Sequence, residues 1–153
     1  MGKIVSKVKR AYIAGLIDAD GAIMALIEHH QGKRFGFRVR IEMKLSQKKA
    51  YILKWLKNEV AVGSIRKNRT TFDWLTRDQK EIHYLLIQLK PFLRIKRQQA
   101  KLALRILAVS VNSKKDLLKA ARLADALSLL NPRSKNRRKN FAAMIEEAVS
   151  PND

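Results

Sequence analysis

The sequence predicts an α+β fold in which an antiparallel sheet carries helices on one face. Three observations lead there. Residues 37–45, "FRVRIEMKL", alternate strictly between apolar and charged side chains, the period of a half-buried strand. Residues 8–19 space their apolar side chains at the helical period and are followed by Gly21, a stop signal. The elements then run α-ββ-α-ββ-α-α-α-α, without the βαβ alternation that builds a parallel sheet.

In chain order, the helix over 8–19 places Tyr12, Ile13, Leu16 and Ile17 on an apolar face. Gly15 and Ala19, four apart, share a side where another backbone could approach closely. Residues 22–28 and 35–46 read as strands. Phe37, Val39, Ile41, Met43 and Leu45 point one way, and Arg38, Arg40, Glu42 and Lys44 the other. The stretch "HHQGKRFG" between them holds Gly32 and Gly36 and reads as a loop. A helix over 48–60 carries Ile52, Leu53, Trp55 and Leu56. Residues 63–76 form a second strand pair, with Ile65, Phe72 and Trp74 inward and Arg66, Asn68 and Asp73 outward. Helices follow at 78–90 and 97–111, with Pro91 between them, and at 114–130 and 140–149, separated by "NPRSKNRRKN". The 153 residues are expected to form a single domain, with a core over about 8–111 and C-terminal helices with a basic loop over about 114–149.

A hydrophobic fraction of 46% is enough for a real core and excludes a basic disordered tail. There is no cysteine, so disulfides and thiolate metal sites are excluded and an intracellular setting is allowed. No apolar run approaches the roughly 20 residues of a membrane span, so no membrane partner is expected. The start "MGKIVS" fits the loose myristoylation pattern, which is short and frequent by chance.

The charge is the first functional signal. Thirty-three Lys and Arg against thirteen Asp and Glu give a formal charge of +20. That excess points to a polyanion: DNA, RNA or another. An antiparallel ribbon with one charged face can enter a major groove and present alternate side chains to base edges. The outward set is Glu28, His30, Arg38, Arg40, Glu42, Lys44, Arg66, Asn68 and Asp73, with Met24, Leu26, Ser64 and Leu75 beside them. It mixes types that suit different bases, and a purely electrostatic surface would not include acids.

Residues 13–21, "IAGLIDADG", raise a separate question, because two carboxylates close a hydrophobic stretch in a strongly cationic chain. The stretch matches the nine-letter LAGLIDADG signature everywhere but Ile13. With "SQKK" at 46–49 and "PFLRIKRQQAKLAL" at 91–104, the chain from about residue 8 to 148 resembles the LAGLIDADG homing endonucleases, and most of all their small, single-motif, homodimeric group.

The resemblance implies a saddle-shaped DNA-binding sheet and two motif helices packed against each other, with Tyr12, Gly15, Leu16 and Ala19 at that contact. It implies that Asp20, joined by the Ala19 carbonyl, binds Mg2+, a site that Mn2+ or Ca2+ can also occupy. Gln47 matches the residue that orders the attacking water, and Lys96 the basic residue that stabilises transition-state charge. The family's further arginine has no clear counterpart, and Lys49 or Lys48 is the nearest basic substitute. Asp18 reads as structural, capping the helix end or its neighbour. Only one signature is present, so a homodimer cutting double-stranded DNA at a long pseudo-palindrome is implied. The basic stretch 133–139, with Lys135, Arg137, Arg138 and Lys139, resembles the family's C-terminal loop and reads as a phosphate clamp. Relatives are often encoded in introns of chloroplast or mitochondrial genes, so those compartments stay open. The alternative is a non-cleaving nucleic-acid binder on the same fold, a splicing cofactor or a regulator. Retention of Asp20, Gln47 and Lys96 favours the enzyme.

Overall fold

The structure is a computed structural model and describes residues 6–131 and 140–148. Helix α1 (Lys7–Asp20) leads directly into strand β1 (Gly21–His29), which pairs with β2 (Phe37–Gln47). Helix α2 (Ala50–Val60) precedes β3 (Ser64–Asn68) and β4 (Thr71–Thr76). Four helices follow: α3 (Gln79–Leu89), α4 (Arg97–Leu107), α5 (Lys114–Leu130) and α6 (Phe141–Ala148), with a 3₁₀ turn at Lys90–Phe92. The strands form one antiparallel sheet in the order β1-β2-β4-β3.

The expected α-ββ-α-ββ-α order and antiparallel sheet are therefore present, followed by C-terminal helices. Helices α1, α3, α4 and α5 pack on the two long strands, and α2 packs on the sheet near β4. The side of the sheet they cover supplies Ile23, Ala25, Phe37, Ile41, Met43, Leu45 and Trp74 to one buried apolar cluster. The alternation in β2 thus does what its period requires, with one face in the core and one outside.

Two helix boundaries and the burial of one side chain depart from what the sequence pattern alone suggests. Lys49 is extended, so α2 begins at Ala50. Helix α4 ends at Leu107, because "AVSVNS" (108–113) is rich in β-branched and hydroxyl residues and its last serine caps the next helix by accepting the Asp116 N–H. Tyr12 does not join the core face of α1. Ile13, Ala14 and Ile17 are buried, whereas Tyr12 is 52% exposed and packs its ring edgewise on Trp55.

The α1–β1 junction has no linker. The Gly21 N–H donates to the Ile17 carbonyl, and the chain turns straight into the sheet. A Cβ at Gly21 would lie 2.8 Å from Ile17 Cα and 2.9 Å from its carbonyl oxygen, both backbone atoms. The glycine is required here by close approach and not by an unusual φ, which is −89°. Gly21→Ala is therefore expected to destabilise the fold by about 1–3 kcal/mol, read as a lower urea midpoint. An unchanged midpoint would show that the junction can relax.

Candidate active site and nucleic-acid interface

The site begins at the end of α1. Asp20 is exposed at the helix C-terminus, where a carboxylate gains nothing from the helix dipole. Its Oδ2 accepts a 2.8 Å hydrogen bond from the Gln47 side-chain amide. The β1–β2 register explains the meeting: Gly21 faces Leu45, so Gln47, two residues on, ends its strand beside the helix terminus. Lys96 comes from 76 positions further along the chain than Asp20. Its Nζ donates to the Asp18 main-chain carbonyl at 2.7 Å, one of the carbonyls a helix end leaves unpaired. The Asp18 carboxylate accepts the N–H groups of Arg94 and Lys96 at 2.8 and 3.0 Å. Asp18 thus caps a neighbouring segment, as expected.

Asp20, Gln47 and Lys96 are brought to one helix end. Lys48 and Lys49 are exposed and form no contact with Asp20.

The oxygen donors at this end suit a hard divalent cation. Among the described residues there is no group of three or more His, Cys, Asp or Glu side chains that could hold a metal. One chain offers one carboxylate, Asp20, with the exposed Ala19 next to it. That is too few for a closed cage but fits a cation that keeps several waters and takes phosphate oxygens of a substrate, as Mg2+ commonly does.

The open face of the sheet bears the predicted side chains. Register sets Met24 against Glu42, Leu26 against Arg40, and Glu28 against Arg38. On the other side Ser46, Asp73 and Arg66 form one row, and Lys44, Leu75 and Ser64 another, with Asn68 opposite Thr71. Exposure differs from expectation. Glu42 and Asp73 lie on this face but are only 7% and 1% exposed. Each acid is engaged by a neighbour: Glu28 pairs with Arg40 at 3.4 Å, and Glu42 with Arg77. Asp73 pairs with Lys44 at 3.3 Å and Arg66 at 4.0 Å, and accepts from the Ser46 hydroxyl and the Asn68 amide. Alternation finds a face but not these cross-strand pairs. Arg77 and Ser46 were missed, although Arg77 continues the odd-numbered side of residues 71–75.

His30 sits in the turn after β1, its N–H donating to the Gly36 carbonyl. Its Nδ1 and the Nε of Arg40 are enclosed without a hydrogen-bond partner. The loop residues Lys135, Arg137, Arg138 and Lys139 lie outside the described residues. The flanks of that loop are held: Asn131 donates to the Ile23 carbonyl of β1, and Asp125 accepts the first N–H groups of α6.

A further surface runs along α1. Val8, Ala11, Tyr12, Gly15 and Ala19 are exposed at helical spacing, and Leu16 is half-buried. An apolar groove of about 430 Å3 between Val8, Tyr12, Tyr51 and Trp55 flanks it on one side. A second groove of about 650 Å3, lined by Ala11, Gly15, Asp18, Leu93 and Arg94, flanks it on the other. A Cβ at Gly15 would meet no atom of the described residues within 4 Å, so no contact among them requires a glycine there.

A helix that delivers a carboxylate to the end of a cationic antiparallel sheet defines an α+β nucleic-acid enzyme. The family model for LAGLIDADG endonucleases matches residues 13–101. DNA endonuclease I-CreI of Chlamydomonas reinhardtii is 32% identical over 125 residues, 78% of this chain and 77% of that protein. DNA endonuclease I-CvuI of Chlorella vulgaris is 33% identical over 129 residues, 81% and 80%. A crystal structure of I-CvuI in complex with the I-CreI target in the presence of Mg matches with a TM-score of 0.84 and 31% identity, covering 93% of this chain and 92% of that one. The chain belongs to the LAGLIDADG endonuclease family.

Asp73 gives this face a pH signature. Burial alone would raise its pKa, but the Ser46 hydroxyl, the Lys44 ammonium and the Asn68 amide more than offset that and hold the carboxyl below its ordinary 3.8. Asp73 therefore adds stability that is complete above its unfolded pKa and is lost as pH falls through the lower folded value. The stability advantage of the natural protein over Asp73→Asn, from urea unfolding, should be constant above about pH 5 and shrink toward about pH 2. An advantage independent of pH across that window would contradict the assignment.

Proposed function

We propose that this endonuclease works as a homodimer that cuts both strands of a long pseudo-palindromic DNA target with a divalent cation, Mg2+ by preference. The observation that carries the proposal is the hydrogen-bonded Asp20–Gln47 pair at the open end of α1, beside Lys96. The related I-CvuI is known in complex with its target in the presence of Ca and with the I-CreI target, not cleaved, in the presence of Mg, which supports DNA binding alongside a divalent cation.

Asp20 and the Ala19 carbonyl would hold the cation. Such a cation supplies charge stabilisation at the scissile phosphate and an acidified water. Gln47 uses its amide N–H on Asp20, which leaves its carbonyl oxygen to accept from, and so orient, an attacking water. The Lys96 ammonium has three donors and uses one on Asp18, leaving two for phosphate oxygens. Lys49 is exposed and can reach toward the backbone of bound DNA only as a mobile charge.

On the sheet, Arg38, Arg40, Lys44, Arg66 and Asn68 read base edges together with Glu28, Glu42 and Asp73, of which Glu28 orients Arg40, Asp73 orients Lys44, Arg66 and Asn68, and Glu42 orients Arg77. Met24, Leu26, Ser64 and Leu75 fill between, and His30 reaches the site's edge. The 133–139 segment, five basic residues in seven with no acid, supplies sequence-independent affinity. The exposed stripe Tyr12, Gly15, Ala19, with Leu16 behind it, is the contact between subunits. A two-fold axis there brings two Asp20 carboxylates together and gives each subunit one half-site.

Asp20→Asn should keep target affinity within about tenfold, roughly 1.4 kcal/mol, and lose nearly all cleavage. Cutting at close to the natural rate with magnesium would remove Asp20 from the site. Gly15→Leu should hold the two helices apart and shift sedimentation toward the monomer, with loss of cleavage. A natural protein that sediments as a fully active monomer at micromolar concentration would rule out the dimer.

A further inference from the structure

We propose that Asp18 is a positioning residue for Lys96, tying the reaction centre's cation to the same helix that carries Asp20. This rests on the function proposed above, in that Lys96 acts on the scissile phosphate.

Three hydrogen bonds join Asp18 to the segment before α4. Its two carboxylate oxygens take the Arg94 and Lys96 N–H groups at 2.8 and 3.0 Å, and its main-chain carbonyl takes the Lys96 ammonium at 2.7 Å. Backbone and side chain of one residue therefore grip backbone and side chain of the other. Lys96 has no comparable anchor of its own. It occupies the cap position of α4 with φ −100° and ψ 18° and makes no side-chain cap bond there. The ammonium rests at the negative end of the α1 dipole, which favours a cation.

The consequence is geometric. Asp18 and Asp20 are two residues apart on a rigid helix, and their side chains point in different directions. Asp20 faces Gln47, and Asp18 faces the 94–96 segment. The carboxylate end and the cationic end of the centre are thereby held at one fixed separation, although Asp20 and Lys96 are 76 positions apart in sequence. With one N–H on Asp18, the ammonium keeps two aimed away from the helix for an oxyanion. Both aspartates of the motif then serve the same centre, one directly and one through Lys96.

The test is a double-mutant cycle on the full-length protein. Single-turnover cleavage at saturating target, target affinity without metal, and amide hydrogen exchange are measured for Asp18→Asn, Lys96→Met and the double variant. Asparagine keeps one acceptor and turns an NH2 toward the other N–H. Asp18→Asn should slow cleavage roughly 10- to 100-fold, leave metal-free affinity within about tenfold, and speed exchange at Arg94 and Lys96. The double variant should cut no more slowly than Lys96→Met alone, because Asp18 acts through Lys96. If the two losses multiply, or if exchange at Arg94 and Lys96 is unchanged in Asp18→Asn, the positioning role is overturned while Lys96 keeps its own. If Lys96→Met cuts at the natural rate, both the role of Lys96 and this inference fall. Should Asp18→Asn not fold, Asp18→Ser, which retains a single acceptor, takes its place in the same cycle with the same expected outcomes.

Discussion

Everything at the functional end of this protein depends on a helix that becomes a strand with no residue between. Asp20 is the last residue of α1 and Gly21 the first of β1. Only a glycine allows the strand to leave with its α-carbon against the backbone of Ile17. A linker of even two or three residues would let the helix end swing relative to the sheet. Without one, the β1–β2 register fixes the distance from Asp20 to Gln47 as firmly as it fixes the sheet itself. A hydrogen-bond ladder built for stability thus also sets the spacing of polar groups at its end.

The sheet was legible because its signal is local. Period-two alternation over β2 and the helical period over α1 each need only a dozen residues, and both led to the right element and, for β2, the right faces. Tyr12 shows the limit of that rule. Helical spacing puts it on an apolar face with Ile13 and Ile17, which are buried, but does not tell that Tyr12 itself stays exposed against Trp55. Glu42 and Asp73 show a second limit. Their side of the strand was right, but whether a side chain on an outer face is exposed depends on which cations stand across from it. Those pairings are long-range and have no period. The same holds at the site. Asp20, Gln47 and Lys96 were recognisable only as a family pattern, and no local signal in the sequence reports that Lys96 would be bonded to Asp18.

The acids on the sheet's open face resolve an apparent conflict in the charge. A surface that meets a polyanion would bind it more tightly without Glu28, Glu42 and Asp73. Their presence lowers the general attraction but holds arginine and lysine side chains in defined directions, which a flexible cation otherwise gives up as entropy on binding. An oriented guanidinium discriminates among hydrogen-bonding patterns, whereas a freely rotating one contributes mostly charge. In the sequence, 133–139 is the contrasting case, a basic run that no acid interrupts, which suits the sequence-independent attraction proposed for it above.

The two anchors that flank that run separate two evolutionary problems. Asn131 is bonded to the Ile23 carbonyl, and the first turn of α6 is capped by Asp125 from α5, so each end is pinned by residues outside the segment. Closing a somewhat longer loop between fixed ends costs little, since the entropy grows only logarithmically with length. Insertions, deletions and charge changes can therefore accumulate there without disturbing the helices or the centre at Asp20. The grip proposed for 133–139 is thereby separable from the geometry of the cutting centre.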